Sequence, residues 1–160
     1  MTDQNTTAAQ TPSADADKER LPEPYEKTTR HTITLDGREW RYDATLGTIT
    51  IDTAKVKPAA SIFFAAFNAV DDQGAMDATR PVTFIFNGGP GSSSTFLLLG
   101  SIAPKRIDVT DTDPVPAAPY TLADNPETLL PVSDLVFIDA AGAGFSTILD
   151  KAKPELWSVG

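Results

Sequence analysis

Three consecutive serines, Ser92, Ser93 and Ser94, follow the glycine-rich run Gly88-Gly89-Pro90-Gly91. The chain has one histidine, His31, and an aspartate, Asp139, that closes the apolar run Leu135-Val136-Phe137-Ile138. These residue types invite acyl-transfer chemistry, which needs a nucleophile, a base, an orienting group and donors for the oxyanion. The glycines let a substrate lie against bare main chain, and unpaired amides at such a turn suit a developing negative charge. The remaining parts are not assembled here. No Gly-x-Ser-x-Gly elbow occurs in the sequence, and Gly91-Ser92-Ser93-Ser94 lacks its second glycine. Ser92, Ser93 and Ser94 read as cap or turn residues. His31 precedes every candidate serine and aspartate and reads as a structural histidine, so no histidine-based triad can be built from these 160 residues.

Two other chemistries fail on residue types. A phosphate-cradling loop needs Gly-x4-Gly-Lys-Ser/Thr or Gly-x-Gly-x-x-Gly; neither occurs, and Pro90 removes an amide that phosphate would use. A metal site is equally unsupported by one histidine, no cysteine and no carboxylate cluster at ligand spacing. No cofactor is expected.

The elements that must position the glycine run are legible on either side of it. Val82-Thr83-Phe84-Ile85-Phe86 is a short β-branched and aromatic run that predicts a buried strand, with Pro81 opening it. Ser93 or Ser94 can cap a helix over Thr95 to Leu99. Earlier, alternation from Thr29 places His31, Ile33 and Leu35 on one strand face. Asp36-Gly37 is a two-residue hairpin turn, Arg38 to Asp43 returns, and Gly47 to Ile51 alternates again. Ser61 to Phe67 is a more buried strand, and a polar loop spans Asp71 to Arg80. Ser101 to Asp134 holds six prolines and is too long for a simple connector. Leu135 to Asp139 is a continuous apolar strand of the kind buried in parallel sheets, turned at its end by Gly142 and Gly144. Pro154 to Trp157 looks like a helix start.

Asn87-Gly88-Gly89-Pro90-Gly91-Ser92-Ser93-Ser94 resembles the Asn-Gly-Gly-Pro-Gly-Cys/Ser-Ser-Ser motif of the serine carboxypeptidases, members of the α/β-hydrolase fold. The resemblance continues through Leu135 to Asp139 and Gly142-Ala143-Gly144-Phe145-Ser146, and covers roughly Thr48 to Gly160. It implies the α/β class: an incomplete α/β-hydrolase sheet, antiparallel hairpins leading into parallel central strands. It implies that Gly89 donates a backbone amide to the oxyanion hole, with Gly88 setting the loop geometry. Asn87 would help hold the substrate's terminal carboxylate. Phe96 falls on a wall of the pocket for the last side chain, with Gly100 and Ser101 near another; Phe96 reads equally as helix core. Asp139 would be a turn-stabilising carboxylate on the strand before the nucleophile's own. The family's serine, aspartate and histidine would lie beyond Gly160. The implied reaction removes C-terminal residues through an acyl-enzyme, with peptide or protein C-termini as partners. A proline iminopeptidase-like hydrolase and a non-catalytic remnant are the alternatives; Asn87 in place of histidine and Gly144-Phe145-Ser146 argue against the first.

The sequence departs from that pattern at Ala103, where relatives have glycine before Pro104, and at Ala140-Ala141, where they have Pro-Val. Alanine at Ala103 costs about 1 kcal/mol if the position needs a positive φ, and loss of the proline is expected to loosen the turn. Ser92 stands where many secreted relatives have cysteine, so no disulfide anchors the loop.

Composition sets outer limits. A 41% hydrophobic share can support a core, and a formal charge of −9 disfavours nucleic acid and anionic membrane as partners. Met1 to Glu26 lacks Val, Ile, Phe and Trp and predicts a disordered tail. Residues 1–28 are taken as tail and 29–160 as the N-terminal part of a hydrolase domain, truncated before the nucleophile elbow. No secretory signal or membrane span is visible, which points to the cytoplasm. Val82–Phe86 and Leu135–Ile138 are apolar enough to be central strands, and without a nucleophile strand beside them an unpaired apolar edge is expected.

Overall fold

A computed structural model describes residues 20–88, 91–108 and 120–157. Its main sheet is mixed, its strands in the spatial order Glu26–Leu35, Arg38–Ile51, Ala60–Val70, Asp134–Ile138 and Val82–Phe86, with few helices. Strands β1 (Glu26–Leu35) and β2 (Arg38–Ile51) form the first hairpin. Asp36 and Gly37 both have positive φ, 49° and 76°, the geometry of a type I′ turn, whose twist matches that of the strands it joins. Across the hairpin Arg30 grips Asp43 through Nε at 2.7 Å and Nη2 at 2.9 Å. That hydrogen bonding, with the charge behind it, holds the Asp43 carboxyl below its usual range.

Two expectations about this region change. The first strand begins at Glu26, three residues before the visible alternation. The two segments expected from Arg38 to Ile51 are one 14-residue strand, because Thr45 is paired on both sides, with Thr28 and with Ala66. Gly47 lies within that strand, where a Cβ would stand 2.9 Å from both the Phe64 ring and the Tyr25 carbonyl.

Strand β3 (Ala60–Val70) pairs antiparallel with β2 and with β7 (Asp134–Ile138), while β4 (Val82–Phe86) runs parallel to β7 in the register Val82↔Asp134 to Phe86↔Ile138. The antiparallel hairpins therefore lead into a parallel pair. A short β8 (Thr147–Ile148) joins the start of β3, and β5 (Lys105–Ile107) pairs with β6 (Leu122–Asp124) in a separate ribbon. Helix α1 (Thr95–Gly100) follows the glycine run, and a 3₁₀ turn leads into α2 (Lys153–Leu156).

The period of two along each strand divides the apolar residues between faces. On one face Phe63, Ala65, Leu135 and Phe137 pack under Leu97, Leu98 and Ala103, and Ile33, Leu35, Tyr42 and Ala69 pack under Leu130. The other face is covered near Ile62, Ile138 and Ile148 by Val56, Ala59 and Ala152. It is bare at β4. Strand β4 was expected to be buried, but it lies at the sheet edge, with Val82, Phe84 and Phe86 exposed at 48%, 60% and 60%. Nothing among the described residues pairs with its outer side.

A buried ion pair fixes where the parallel strands start. Arg80 Nε meets Asp134 Oδ1 at 2.9 Å, and Arg80 Nη2 donates to the Leu130 carbonyl at 2.6 Å. Asp134 also accepts from the Ala69 amide and Asn68 Nδ2, so the end of β3 and the entries to β4 and β7 converge on one carboxylate. Ala103 is 1% exposed and does not have a positive φ, so the strain considered for alanine there does not arise. Among the described residues no helix is long and apolar enough to cross a membrane.

Candidate active site

The carboxyl ends of β4 and β7 lie side by side, and the glycine run leaves the first of them. Such ends of parallel strands are where open α/β sheets place their ligands. Asp139, 2% exposed at the end of β7, organises the place. Its Oδ1 accepts the Ser94 amide at 2.6 Å and the Ser93 hydroxyl at 3.0 Å, and its Oδ2 accepts the Phe145 amide at 3.0 Å. A buried carboxylate is stable when its lone pairs are so filled. Asp139 thus ties the loop after β4 to the turn after β7, which is the turn-stabilising role that the resemblance implied for it.

That turn is closed around the carboxylate. Gly144 has φ +55°, and a Cβ on it would stand 2.0 Å from Asp139 Oδ2 and 2.6 Å from Ser93 Oγ. Ser146 Oγ donates to the Asp139 carbonyl at 2.9 Å and accepts the Phe63 amide at 2.9 Å, joining the turn to β3. The Ala143 amide donates to Ala140 and the Ser146 amide to Ala143, each at 2.9 Å. The turn expected to be loose without proline is held by these contacts.

The serines serve as braces. Ser94 Oγ donates to the Ile138 carbonyl at 2.5 Å and accepts the Asn87 amide at 3.1 Å. Ser94 precedes α1 yet makes no side-chain cap bond. The expected cap is displaced because the hydroxyl is drawn to β7, and Ser93 Oγ instead accepts the Thr95 amide at 3.1 Å. With their single protons given to Ile138 and Asp139, neither Ser94 nor Ser93 is poised as a nucleophile.

Asn87 sits at the mouth of the loop. Its Nδ2 donates to Ser92 Oγ and to the Ser93 carbonyl, both at 2.9 Å, and its Oδ1 accepts the Gly88 amide at 3.0 Å. The Asn87–Ser92 bond spans the loop. Gly88 and Gly91 face open space, since a Cβ on either would meet nothing within 4 Å. Gly89, the expected oxyanion donor, and Pro90 lie outside the described residues. Phe96, on the first turn of α1, is 80% exposed, so the helix-core reading of that residue does not hold; Leu97 and Leu98 take the core positions. Gly100 ends α1 and is exposed.

His31 is far from this cluster. It lies on β1, with three strands between it and β4, its Nε2 2.7 Å from Thr29 Oγ1 and its ring stacked on Tyr42 at 5.5 Å. No histidine-based triad forms among the described residues, and no group of three His, Cys, Asp or Glu side chains there is placed to hold a metal. The bracing roles of Ser93, Ser94 and Ser146 were not read from the sequence. Their partners lie 46, 44 and 83 residues away, and no local pattern announces such contacts.

Fold and site together describe a mixed-sheet protein whose glycine loop is anchored at the carboxyl end of a parallel strand pair. The profile of the serine carboxypeptidase family matches residues 47–156, and the chain belongs to that family. Among solved structures it is similar to the crystal structure of Kex1(delta)p, a prohormone-processing carboxypeptidase from Saccharomyces cerevisiae. The identity is 27% over 73% of this chain, with a TM-score of 0.49, and the match spans 23% of that longer chain. No curated protein matches.

Proposed function

We propose that the chain from β1 onward is the N-terminal part of a serine carboxypeptidase of the α/β-hydrolase fold, and that the whole protein hydrolyses C-terminal peptide bonds through an acyl-enzyme. The observation that carries this reading is the loop after β4: it is pinned to Asp139 while its Gly88 side faces open space. A loop anchored at its far end and bare of side chains at Gly88 suits an oxyanion donor, because amides already positioned need no rearrangement as charge develops. In this reading Gly89 supplies the amide and Gly88 the close approach. The nucleophile, its aspartate and its histidine come from outside residues 1–160, and the open edge of β4 receives the next strand of the sheet.

Asn87 is proposed to meet the terminal carboxylate of the substrate. Both of its amide hydrogens are engaged within the loop, so the carboxylate takes the place of the Ser92 hydroxyl, the more exposed partner. Phe96, exposed at the start of α1, is proposed as a wall of the pocket for the last side chain.

The test is kcat/KM of the whole protein on matched free-acid and amidated peptides. Asn87→Ala should erase much of the preference for the free acid, since a charge-assisted hydrogen bond contributes roughly 1.5–3 kcal/mol. Gly89→Val should cut turnover about 10²–10³-fold with little change in ground-state binding. An unchanged acid-to-amide ratio in Asn87→Ala would remove that residue from substrate recognition.

A further inference from the structure

An asparagine can be modified from within the chain, when the next residue's backbone nitrogen attacks the side-chain carbonyl carbon and expels ammonia. Of the three described asparagines, two have no free backbone nitrogen beside them. Asn125 precedes Pro126, which carries no N–H to give up. Asn68 precedes Ala69, whose amide is held by Asp134 Oδ1 at 3.1 Å. Asn87 differs on both counts. It is half-buried and precedes Gly88, which is exposed. A Cβ at Gly88 would meet nothing within 4 Å, so no neighbouring atom shields the approach.

The reacting atoms are already close. The Gly88 amide nitrogen lies 3.0 Å from Asn87 Oδ1, beside the carbon that it must attack. Its direction is wrong for attack. The N–H points at the carbonyl oxygen, as hydrogen bonds do near the carbonyl plane, whereas a nucleophile reaches a carbonyl carbon from above that plane. Turning the carboxamide face toward the nitrogen breaks this bond and both bonds from Nδ2, to Ser92 Oγ and to the Ser93 carbonyl, each at 2.9 Å. Ser93 is anchored through its own hydroxyl to Asp139, while Ser92 is exposed, so the Ser92 contact is the one that opens most readily.

We propose that Asn87 is a deamidation site whose rate is set by its hydrogen bond to the Ser92 hydroxyl. When that contact opens, the Gly88 nitrogen gives its proton to water and bonds to Asn87 Cγ, closing a cyclic imide with the backbone. The bond from Cγ to Nδ2 breaks, and Nδ2 takes up a proton from water and leaves as ammonia. Water then opens the imide at either carbonyl, giving aspartate or isoaspartate. Either product replaces two N–H donors with a carboxylate that faces the Ser93 carbonyl. The conversion needs only the chain and water. Its consequence for substrate rests on the function proposed above: a carboxylate at residue 87 repels the terminal carboxylate that Asn87 is assigned to hold.

The experiment is incubation of the chain in mildly alkaline buffer, followed over time by peptide mass mapping and an isoaspartate assay. The peptide carrying residue 87 should gain acid, part of it isoaspartate, while those carrying Asn68 and Asn125 stay unchanged. Conversion should be faster in urea, where the loop contacts are lost. Ser92→Ala, at an exposed position, should speed conversion in the folded chain about two- to tenfold, the rate equivalent of one neutral hydrogen bond, and leave the rate in urea unchanged. Gly88→Val should slow it, because the position has no positive φ and has room for a side chain, which then blocks the approach of the nitrogen. No conversion at residue 87, or equal rates for the folded chain and its Ser92→Ala variant, would overturn the assignment. In the whole protein, conversion that leaves the preference for free-acid peptides intact keeps the site and removes the carboxylate role of Asn87.

Discussion

The amide of Ser94 donates to Oδ1 of Asp139 at 2.6 Å, joining residues 45 apart in sequence. Through that bond Ser94, at the end of the loop after β4, is tied to the turn after β7, which the same carboxylate holds at the Phe145 amide. Asp139→Asn tests this link. An amide presents one acceptor oxygen, so either the Ser94 and Ser93 donors or the Phe145 amide must meet an N–H. The loss should be roughly 1.5–3 kcal/mol in urea unfolding with an unchanged slope. Hydrogen exchange at Ser94 and Phe145 should quicken, and exchange at Ser94 that stays at the wild-type rate would contradict the role given to Asp139.

Gly144 and Gly37 both have positive φ, 55° and 76°, but in different surroundings. At Gly37 an added Cβ meets nothing within 4 Å, whereas at Gly144 it stands 2.0 Å from Asp139 Oδ2. Gly37→Ala should cost only the backbone strain, about 1 kcal/mol. Gly144→Ala should cost that and the Asp139 contacts as well. Equal unfolding midpoints for the two variants would show that the crowding at Gly144 is relieved without energetic consequence.

Burial pushes the Tyr42 phenol up from 10.0 to about 12, with the charge of Asp124 adding to it. The unfolded chain ionises this phenol first as pH rises. The folded state is therefore at full stability below pH 10 and loses stability as pH climbs toward 12. Stability measured across that window should fall less steeply in Tyr42→Phe. Parallel curves for the two proteins would place the phenol in contact with solvent.

The exposed face of β4 makes a prediction about behaviour in solution. Phe84 and Phe86 are each 60% exposed on a strand whose outer edge is unpaired among the described residues. Such a surface favours strand-to-strand association. The isolated 160-residue chain should self-associate and bind a hydrophobic dye, and Phe84→Lys should reduce both. A monodisperse monomer with a sharp cooperative melt in the unmodified chain would contradict this.

Several features were legible in the sequence because neighbouring residues specify them. Asp36-Gly37 set a turn that only residues tolerant of positive φ adopt, and the strands over Ser61–Phe67, Val82–Phe86 and Leu135–Ile138 are written in β-branched and aromatic residues. The eight residues from Asn87 to Ser94 carried the family. What tertiary structure decided lies in contacts between distant segments. Phe84 has the same apolar character as Phe137, yet one is exposed and the other 2% exposed, because Phe84 lies on the sheet face left bare at β4 and Phe137 on the face covered by Leu97, Leu98 and Ala103. Alternation fixes which residues share a face but not whether anything covers it. Likewise Ser93 and Ser94 have a cap's composition, and Asn87 a ligand's. Their hydroxyls and amide turned instead to Asp139, Ile138 and Ser92, because a hydrogen bond is made to whichever partner the fold brings within about 3 Å.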